Sequence, residues 1–202
     1  MINLYNLDCL PAMREMPDKA YELAIVDPWY QIGLTTADIA PSKEYFQQLF
    51  RVSDNQIIWG GNYFNLPHTQ AWICWDKVYR FNRKLPVAEF ELAWTSLDIK
   101  ATFLRFTYCG NFYGFDNPKA HYDKPKIIHI CQKPVEIYEW LLKNYAKPGV
   151  RILDTHGGSG SICIACDILG FDLDWYEIDA DYFQAAKERL ERHQRQQVLD
   201  LK

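Results

Sequence analysis

The sequence predicts an α/β protein with a Rossmann-like fold, in which helices cover both faces of a mostly parallel sheet. Short apolar runs in the first half are continuous rather than alternating, which is typical of strands buried on both faces. The last third alternates strand, helix, strand and helix, as in a βαβ unit. With 202 residues and 49% hydrophobic side chains, the chain has the size and composition of one globular domain.

The predicted strands of the first two thirds end at residues that favour turns. They cover residues 23–26, 56–59, 71–75, 90–94 and 126–130. Asp27 and Pro28 end the first strand, and Gly60 and Gly61 end the second. We find no repeat and no flexible linker between these elements.

A clearer pattern begins at Pro134, which can occupy the first turn of a helix. Apolar side chains then recur at helical spacing, at Val135, Tyr138, Leu141, Leu142 and Tyr145. A strand is predicted at 150–153 and a helix over about 161–169. A strand at 173–176 and a last helix over about 181–195 complete the βαβ pattern.

Other protein classes fit the sequence poorly. No apolar run reaches the roughly 18 residues that a membrane span needs, and the first residues lack a signal-peptide pattern. The six cysteines are scattered, so we expect reduced thiols and a cytoplasmic protein. Cys163 and Cys166 are the only close pair, and no second pair stands at zinc-finger spacing, so we predict no metal site.

Residues of about 77–125 form a basic, aromatic segment that fits the α/β pattern less well, and we interpret it as a short insertion. From 77 to 134 there are ten Lys and Arg against five Asp and Glu, although the net charge of the chain is −4. Basic side chains interleaved with aromatic ones suit phosphate contact and base stacking. The candidates are Lys77, Arg80, Arg83 and Lys84. A solvated loop is the alternative.

A glycine turn between a predicted strand and helix marks a candidate ligand site. It reads Asp154-Thr155-His156-Gly157-Gly158-Ser159-Gly160. Glycines let a ligand lie against the main chain, and the helix N-terminus adds unpaired N–H groups. Glu177 at the end of the next strand suits two ribose hydroxyls, and Asp154 suits a cofactor with a cationic amino-acid moiety. A turn needed only for packing is the alternative.

The tetrapeptide Asp27-Pro28-Trp29-Tyr30 directly follows a buried strand, at the end of the strand where α/β sheets bind ligands. The Asp27 carboxylate and the Pro28 carbonyl can accept hydrogen bonds from one exocyclic amine, which orients the lone pair on its nitrogen. Tyr30 can stack on an extruded base. A proline turn with aromatic residues that close the core is the alternative.

These motifs together resemble those of the amino-group DNA methyltransferases, in the permuted order of the β class. The tetrapeptide resembles Asp-Pro-Pro-Tyr, and residues 132–134 match the Gln-Lys-Pro motif. Residues 154–160 resemble Asp-Pro-Phe-x-Gly-Ser-Gly, and residues 177–183 resemble Glu-x-Asp-x-x-Tyr-Phe. Residues 6–10 resemble the segment before the tetrapeptide, so that the resemblance covers about 3–76 and 126–195.

The resemblance implies a methyltransferase domain over residues 1–202 with 77–125 as its target-recognition region. It implies methyl transfer from S-adenosyl-L-methionine to adenine N6 in double-stranded DNA with the target base flipped out. The aspartate favours adenine over cytosine N4. The implied catalytic residues are Asp27, Pro28, Trp29 and Tyr30. The implied cofactor-binding residues are Asp8, Cys9, Asp27, Lys133, Asp154, Thr155, His156, Gly157, Gly158, Ser159, Gly160, Glu177 and Ile178.

The sequence departs from the family pattern at three places. Trp29 stands for the second proline, and Thr155-His156 stands for Pro-Phe, so the aromatic contact to the cofactor is either lost or supplied by the imidazole. The segment 77–125 is short, so we expect loose sequence specificity or recognition shared across a homodimer. A cytosine-N4 DNA enzyme, an adenine-N6 RNA enzyme and a catalytically degenerate nucleic-acid-binding relative are the alternatives. Restriction–modification, phage self-protection and epigenetic marking all use this chemistry.

Overall fold

The computed structural model describes residues 1–33, 39–79, 88–109, 112–114, 119–120 and 127–200. These residues belong to two compact units. Unit 1 comprises Met1–Asp27, Pro41–Asn55 and the chain from Ile127 onward. Unit 2 comprises the described parts of Pro28–Ala40 and Gln56–Lys126.

The described residues form strands and α-helices in the following order. The strands are β1 (Ile2–Tyr5), β2 (Tyr21–Val26), β3 (Ser53–Trp59), β4 (Trp72–Asp76), β5 (Phe90–Thr95), β6 (Thr102–Arg105), β7 (Thr107–Cys109), β8 (Phe112–Gly114), β9 (Lys119–Ala120), β10 (Arg151–Asp154) and β11 (Asp172–Tyr176). The helices are α1 (Cys9–Glu15), α2 (Lys43–Val52), α3 (Val135–Tyr145), α4 (Ser161–Leu169) and α5 (Ala180–Asp200).

Unit 1 contains a parallel sheet in the order β1-β11-β10-β2. Ile2 lies opposite Leu173, and Ile152 lies opposite both Leu173 and Leu23. Most side chains of β2, β10 and β11 are buried, as expected from their continuous apolar runs. Because the strands are parallel, their carboxyl ends lie at one edge of this sheet, which we call the carboxyl edge.

The helices of unit 1 form two packed groups. Helix α1 packs against α2, and α4 packs against α3 and α5 as well as against β11. Pro134 is the N-cap of α3, and glycines in the left-handed conformation, Gly160 and Gly170, flank α4. Cys163 and Cys166 are buried free thiols on α4. The mostly parallel α/β architecture predicted from the sequence is therefore confirmed.

Unit 2 contains mixed strands in the order β3-β5-β4-β6, of which only β4 and β6 are parallel neighbours. Large aromatic residues fill its interior: the Trp59 and Trp75 rings meet edge to face at 6.1 Å. The Trp75 indole N–H donates to the Phe106 carbonyl at 2.8 Å. Strands β7, β8 and β9 form a separate antiparallel sheet.

The strand predicted at 126–130 is wrong for its described part, because residues from Ile127 to Pro134 form a turn. The Ile128 N–H donates to Gln132 Oε1 at 3.0 Å, and the Cys131 N–H donates to His129 Nδ1 at 3.1 Å. Local side chains therefore satisfy backbone groups that a strand would pair with a neighbour.

Three further elements, β1, α1 and α2, have no counterpart among the predicted elements, although α2 shows buried side chains at helical spacing. The segment 77–125 is also more regular than expected, since β6 to β9 lie in it besides β5, which the sequence predicted.

Candidate active site

Acidic residues from four chain segments lie at the carboxyl edge of unit 1. Asp8 follows β1, Asp27 follows β2, Asp154 ends β10 and Glu177 follows β11. The register pairs the last residues of β1 and β10 with the end of β11. The residues that the sequence marks at strand ends are therefore neighbours at one edge, as the rule for α/β sheets predicts.

The glycine turn after β10 is held tightly against β11. The Gly157 N–H donates to the Tyr176 carbonyl at 2.9 Å, and the His156 N–H donates to Asp154 Oδ1 at 3.0 Å. A Cβ atom on Gly157 would lie 1.9 Å from Cε2 of the Trp175 indole, so no other residue fits here without rearrangement. Trp175 Nε1 is buried and has no hydrogen-bond partner within the described part of the chain.

Glu177 is fixed beside this turn by backbone donors. The Gly158 N–H donates to Glu177 Oε2 at 2.7 Å, and the Asp179 N–H donates to Oε1 at 2.8 Å. Asn6, just after β1, donates through its amide to the carbonyls of Glu177 and Ile178 at 2.8 and 3.2 Å. The orientation of the Glu177 carboxylate is therefore set before any ligand binds.

The carboxyl edge carries an excess of negative charge. Burial, and then the neighbouring Asp27 and Glu177 carboxylates, raise the pKa of Asp154 to about 8, against the opposing effect of Lys133. Burial also raises the pKa of Glu177. Because Asp27 and Glu177 help to raise the pKa of Asp154, added positive charge at this edge would favour its ionised form. The electrostatics of the edge therefore suit a cationic ligand.

Asp27 forms an ion pair with Lys133, whose ammonium group binds Asp27 Oδ2. The Lys133 side chain is only 5% exposed and the Asp27 side chain 15%. The structure thus places Lys133, predicted to bind a cofactor, directly on the acidic residue of the tetrapeptide.

The Thr155-His156 pair is anchored by α2. Tyr45 OH lies 2.7 Å from Thr155 Oγ1, and His156 Nδ1 lies 3.0 Å from the same oxygen. The Tyr45 ring meets the His156 ring edge to face at 5.1 Å. Burial lowers the pKa of His156 to about 4, so the imidazole is neutral and can serve as an uncharged aromatic surface.

The remaining predicted cofactor residues have structural partners. Asp8 caps α1, because its Oδ1 accepts from the Leu10 N–H at 2.9 Å. Cys9 is buried in the first turn of α1, and burial raises the pKa of its thiol to about 12. Ser159 Oγ lies 3.1 Å from Ser161 Oγ at the start of α4.

Several residues of this site are not among the predicted ones. Tyr45 binds Thr155, Trp175 supports Gly157, and Asn6 holds the end of β11. His129 lies next to the turn, with its ring 4.3 Å from the Tyr182 ring. Asn6 directly follows β1, so recognising that strand is the signal that identifies it, whereas Tyr45 has no comparable sequence signal.

In unit 2, Tyr30 is seated in an aromatic group. Its ring stacks on the Tyr63 ring at 5.1 Å with an interplanar angle of 13°, and the Phe64 ring meets it edge to face at 6.1 Å. Gly60 has a φ of 65°, and a Cβ atom there would lie 2.1 Å from Tyr30 Cε1. Gly60 therefore makes room for the Tyr30 ring. Pro28 is buried and Trp29 is half-buried in the same unit.

One of the four predicted phosphate contacts lies in the described part of the chain. Lys77 Nζ binds Glu91 Oε1 at 2.8 Å and lies 5.5 Å from the Trp75 ring centroid. Its charge is therefore already balanced by a neighbour. Arg80, Arg83 and Lys84 lie outside the described residues.

The described residues contain neither a candidate metal site nor a candidate membrane-spanning helix. No group of three or more His, Cys, Asp or Glu side chains among them is arranged to hold a metal ion. No helix in the same residues combines the length and apolar character needed to cross a membrane.

Comparison with known proteins identifies both a family and a fold. The family model described as DNA methylase matches residues 40–188, and the search of curated proteins found no match. The structure of M1.HpyAVI with SAM has a TM-score of 0.62 and 20% identity, and the match covers 94% of this chain and 100% of that one.

Two further structures give the same fold. TTHA0409 from Thermus thermophilus, complexed with S-adenosyl-L-methionine, has a TM-score of 0.59 and 17% identity, over 96% of this chain and 94% of its own. PvuII DNA methyltransferase, which is cytosine-N4-specific, has a TM-score of 0.60 and 12% identity, over 95% and 90%. The fold is thus the Rossmann-like methyltransferase fold.

Proposed function

The chain belongs to the DNA methylase family, and from this premise we propose that it transfers a methyl group from S-adenosyl-L-methionine to adenine N6 in double-stranded DNA. One observation carries the proposal. Asp27 stands at the carboxyl end of β2 near the Asp154 and Glu177 carboxylates, and the next three residues are Pro28, Trp29 and Tyr30. Asp27 thus lies close to a site suited to a cationic ligand.

The residues of the carboxyl edge fit this cofactor. S-adenosyl-L-methionine supplies an electrophilic methyl group on a positively charged sulfonium. Burial, assisted by the neighbouring Asp27 and Glu177 carboxylates, raises the pKa of Asp154, and a cationic ligand would favour its ionised form. The fixed Glu177 carboxylate can accept the two ribose hydroxyls, and Gly157 and Gly158 leave space for a ligand against the main chain.

Asp27 and Pro28 hold the target amine in this proposal. Two acceptors on one amino group, the Asp27 carboxylate and the Pro28 carbonyl, turn its lone pair toward the methyl group. As nitrogen forms the new bond it becomes positively charged, and the Asp27 carboxylate stabilises that charge and takes the proton that the amine loses.

Tyr30 provides a stacking surface for the target base. An amino group inside a duplex cannot meet this arrangement, so the base must be flipped out. The Tyr30 ring already stacks on the Tyr63 ring and packs closely against Gly60, which has no Cβ atom. A fixed ring stacks on a base with little loss of conformational freedom.

The aspartate of the tetrapeptide supports adenine over cytosine as the target. Cytosine N4 is the second candidate, because the fold is also that of a cytosine-N4-specific enzyme, PvuII DNA methyltransferase. We further propose that residues 1–202 act as one methyltransferase domain in which 77–125 recognises DNA. Arg80, Arg83 and Lys84 contact phosphates there, and recognition is loose or shared across a homodimer.

The test is methyl transfer from labelled S-adenosyl-L-methionine to unmodified plasmid DNA, followed by digestion and nucleoside analysis. N6-methyladenine is the expected product. N4-methylcytosine would support the second candidate, and transfer to RNA alone would contradict DNA as the substrate.

Variants of the acidic residue complete this test. We expect Asp27→Ala to abolish transfer while calorimetry shows cofactor binding largely unchanged. The matched control is Asp54→Ala, at an exposed position of β3 outside the proposed site and recognition segment, which should keep full activity. Activity retained by Asp27→Ala would refute the role of Asp27. A wild-type protein that binds DNA but not the cofactor would be a degenerate family member.

A further inference from the structure

Lys133 carries an inference about the reaction itself. We propose that Lys133 is a positioning residue that holds the Asp27 carboxylate in the orientation in which it accepts the target amine. This differs from the cofactor-binding role that the resemblance implies for Lys133. The inference rests on the proposed function, since it concerns how that function's acceptor is kept in place.

The contact between the two side chains is the first argument. Lys133 Nζ binds Asp27 Oδ2, and the lysine side chain is almost fully buried. A buried ammonium group needs close partners, because burying a charge without a counter-charge is strongly unfavourable. The bond at Oδ2 also fixes the plane of the carboxylate, and with it the direction of the second oxygen.

The backbone at Lys133 is anchored on its C-terminal side. Its carbonyl accepts from Ser161 Oγ at 2.6 Å, at the start of α4. Arg189 Nη1 of α5 donates to Ser161 Oγ and to the Ser159 carbonyl, each at 2.9 Å. The next residue, Pro134, is the N-cap of α3. The position of the Lys133 backbone is therefore fixed by its connections to α3, α4 and α5.

The residue before Lys133 fixes the other side. Gln132 Oε1 accepts from the Ile128 N–H at 3.0 Å, and the Gln132 N–H donates to the His129 carbonyl at 3.0 Å. Each of the residues 132–134 thus has a different structural role. Gln132 closes the turn, Lys133 binds Asp27 and Pro134 begins α3.

The proposed role of Asp27 explains why its carboxylate needs a positioning residue. The Asp27 side chain can rotate about two bonds unless a partner holds it, and the Asp154 and Glu177 side chains share its edge of the sheet. An ammonium group bound to Oδ2 restricts that rotation and keeps the acceptor preorganised. Misplacing a catalytic group by about 1 Å costs on the order of 100-fold in rate.

The first experiment separates positioning from cofactor binding. Lys133→Met keeps the length of the side chain and removes its charge. We expect kcat to fall about 10- to 100-fold while the calorimetric Kd for S-adenosyl-L-methionine changes less than about twofold. Lys133→Arg, which keeps the charge, should retain more of kcat than Lys133→Met does. The control is Lys143→Met, because Lys143 is an exposed residue of α3 that pairs with Glu139 and should leave both quantities unchanged.

The second experiment needs neither cofactor nor DNA. Thermal unfolding is measured for the unliganded wild type, Lys133→Met, Asp27→Asn and the double variant. Each single change removes one charge of the ion pair and takes away that counter-charge from the other member, so each should lower Tm, and the double variant should lose less than the sum of the two shifts. Additive shifts would show that the two groups do not act on each other.

The outcomes are distinct from those of the proposed function. A Kd that rises in Lys133→Met, with kcat restored at saturating cofactor, would make Lys133 a cofactor ligand and overturn the inference. An unchanged kcat would also overturn it. If Lys133→Met does not fold, Lys133→Gln, which also removes the charge, decides: wild-type Kd with a loss of kcat supports the inference, and unchanged kinetics refute it. No transfer by the wild type would instead refute the proposed function, with the unfolding result still interpretable.

Discussion

The two units of this protein carry candidate site residues in different ways. In unit 1 they stand at the ends of parallel strands that lie far apart in the sequence, at Asp8, Asp27, Asp154 and Glu177. In unit 2 the Tyr30 ring contacts Gly60, Tyr63 and Phe64, which belong to one short segment directly after β3.

This difference shows what makes a site readable in a sequence. A parallel sheet collects all carboxyl ends at one edge, so a strand followed by an acid or a glycine turn already predicts a neighbourhood. Mixed strands place successive ends at opposite edges, so the partner of Tyr30 cannot be deduced in the same way. The glycine turn and Glu177 of unit 1 should therefore govern cofactor affinity. Tyr30 of unit 2, together with Asp27 and Lys133 of unit 1, should govern use of the target base.

The largest expected effect tests the cofactor side of this comparison. Glu177→Gln removes the charge that receives the ribose hydroxyls, and charge-assisted hydrogen bonds contribute about 1.5–3 kcal/mol each. We expect S-adenosyl-L-methionine affinity to fall about 100-fold with DNA affinity unchanged. Calorimetry and a DNA-binding assay measure the two quantities, with exposed Glu15→Gln on α1 as the control. An equal loss of DNA affinity would remove the proposed division between the units.

The second effect tests the base side. Gly60→Ala places a Cβ atom on the Tyr30 ring, so we expect kcat to fall about tenfold or more with cofactor Kd within about twofold. Gly149→Ala is the control for backbone strain, because Gly149 also has positive φ but has no atom within 4 Å of an added Cβ. In Gly157→Ala the added Cβ would overlap the Trp175 indole. We therefore expect this variant to raise the cofactor Kd and to change kcat at saturating cofactor little. Identical kinetics for the Gly60 and Gly157 variants would contradict this.

The third effect is a pH dependence set in unit 1. The pKa of Asp154 is raised from 3.8 to about 8, so the unliganded protein loses stability as pH rises through this interval. His156 has its pKa lowered from 6.5 to about 4, so it causes loss of stability only as pH falls below 6.5. Between pH 6.5 and 8 Asp154 therefore acts without His156, and Tm should fall by on the order of a few degrees.

Calorimetric scans of wild type, Asp154→Asn and Asp98→Asn at several pH values in this interval measure that dependence. The Asp154 variant should show the flatter profile, and the Asp98 variant should follow the wild type. A profile for Asp154→Asn as steep as that of the wild type would refute the assignment.

The smallest effect is expected at Lys77 in unit 2. Lys77 is already paired with Glu91, so Lys77→Gln should change DNA affinity less than about twofold. The combined variant Arg80→Gln, Arg83→Gln and Lys84→Gln should weaken binding and lower the slope of log K against log salt by roughly 0.9 for each phosphate that is no longer neutralised. An unchanged slope in the combined variant would mean that the DNA binds elsewhere on the protein.

Much of the fold follows from local pattern, and the exceptions have physical causes. Helix α4 spans the predicted residues, because glycines in the left-handed conformation terminate it at both ends. The strand predicted from the apolar run at 126–130 does not form in its described part. The Ile128 N–H donates to Gln132 Oε1 and the Cys131 N–H donates to His129 Nδ1, and the Ile127 and Ile130 side chains are exposed. The phosphate contacts of the basic residues in the segment 77–125 stay predictions. For Lys77 the structure shows an ion pair with Glu91.

The sequence by itself determined the family, the parallel core and the edge at which Asp27, Asp154 and Glu177 lie, because strand ends and glycine turns are written locally in the chain. Only the tertiary structure decided that Lys133 meets Asp27 across 106 residues of chain and that Gly60 accommodates Tyr30. Such pairings depend on how helices and strands pack at long range, and packing leaves no periodic signal at either partner.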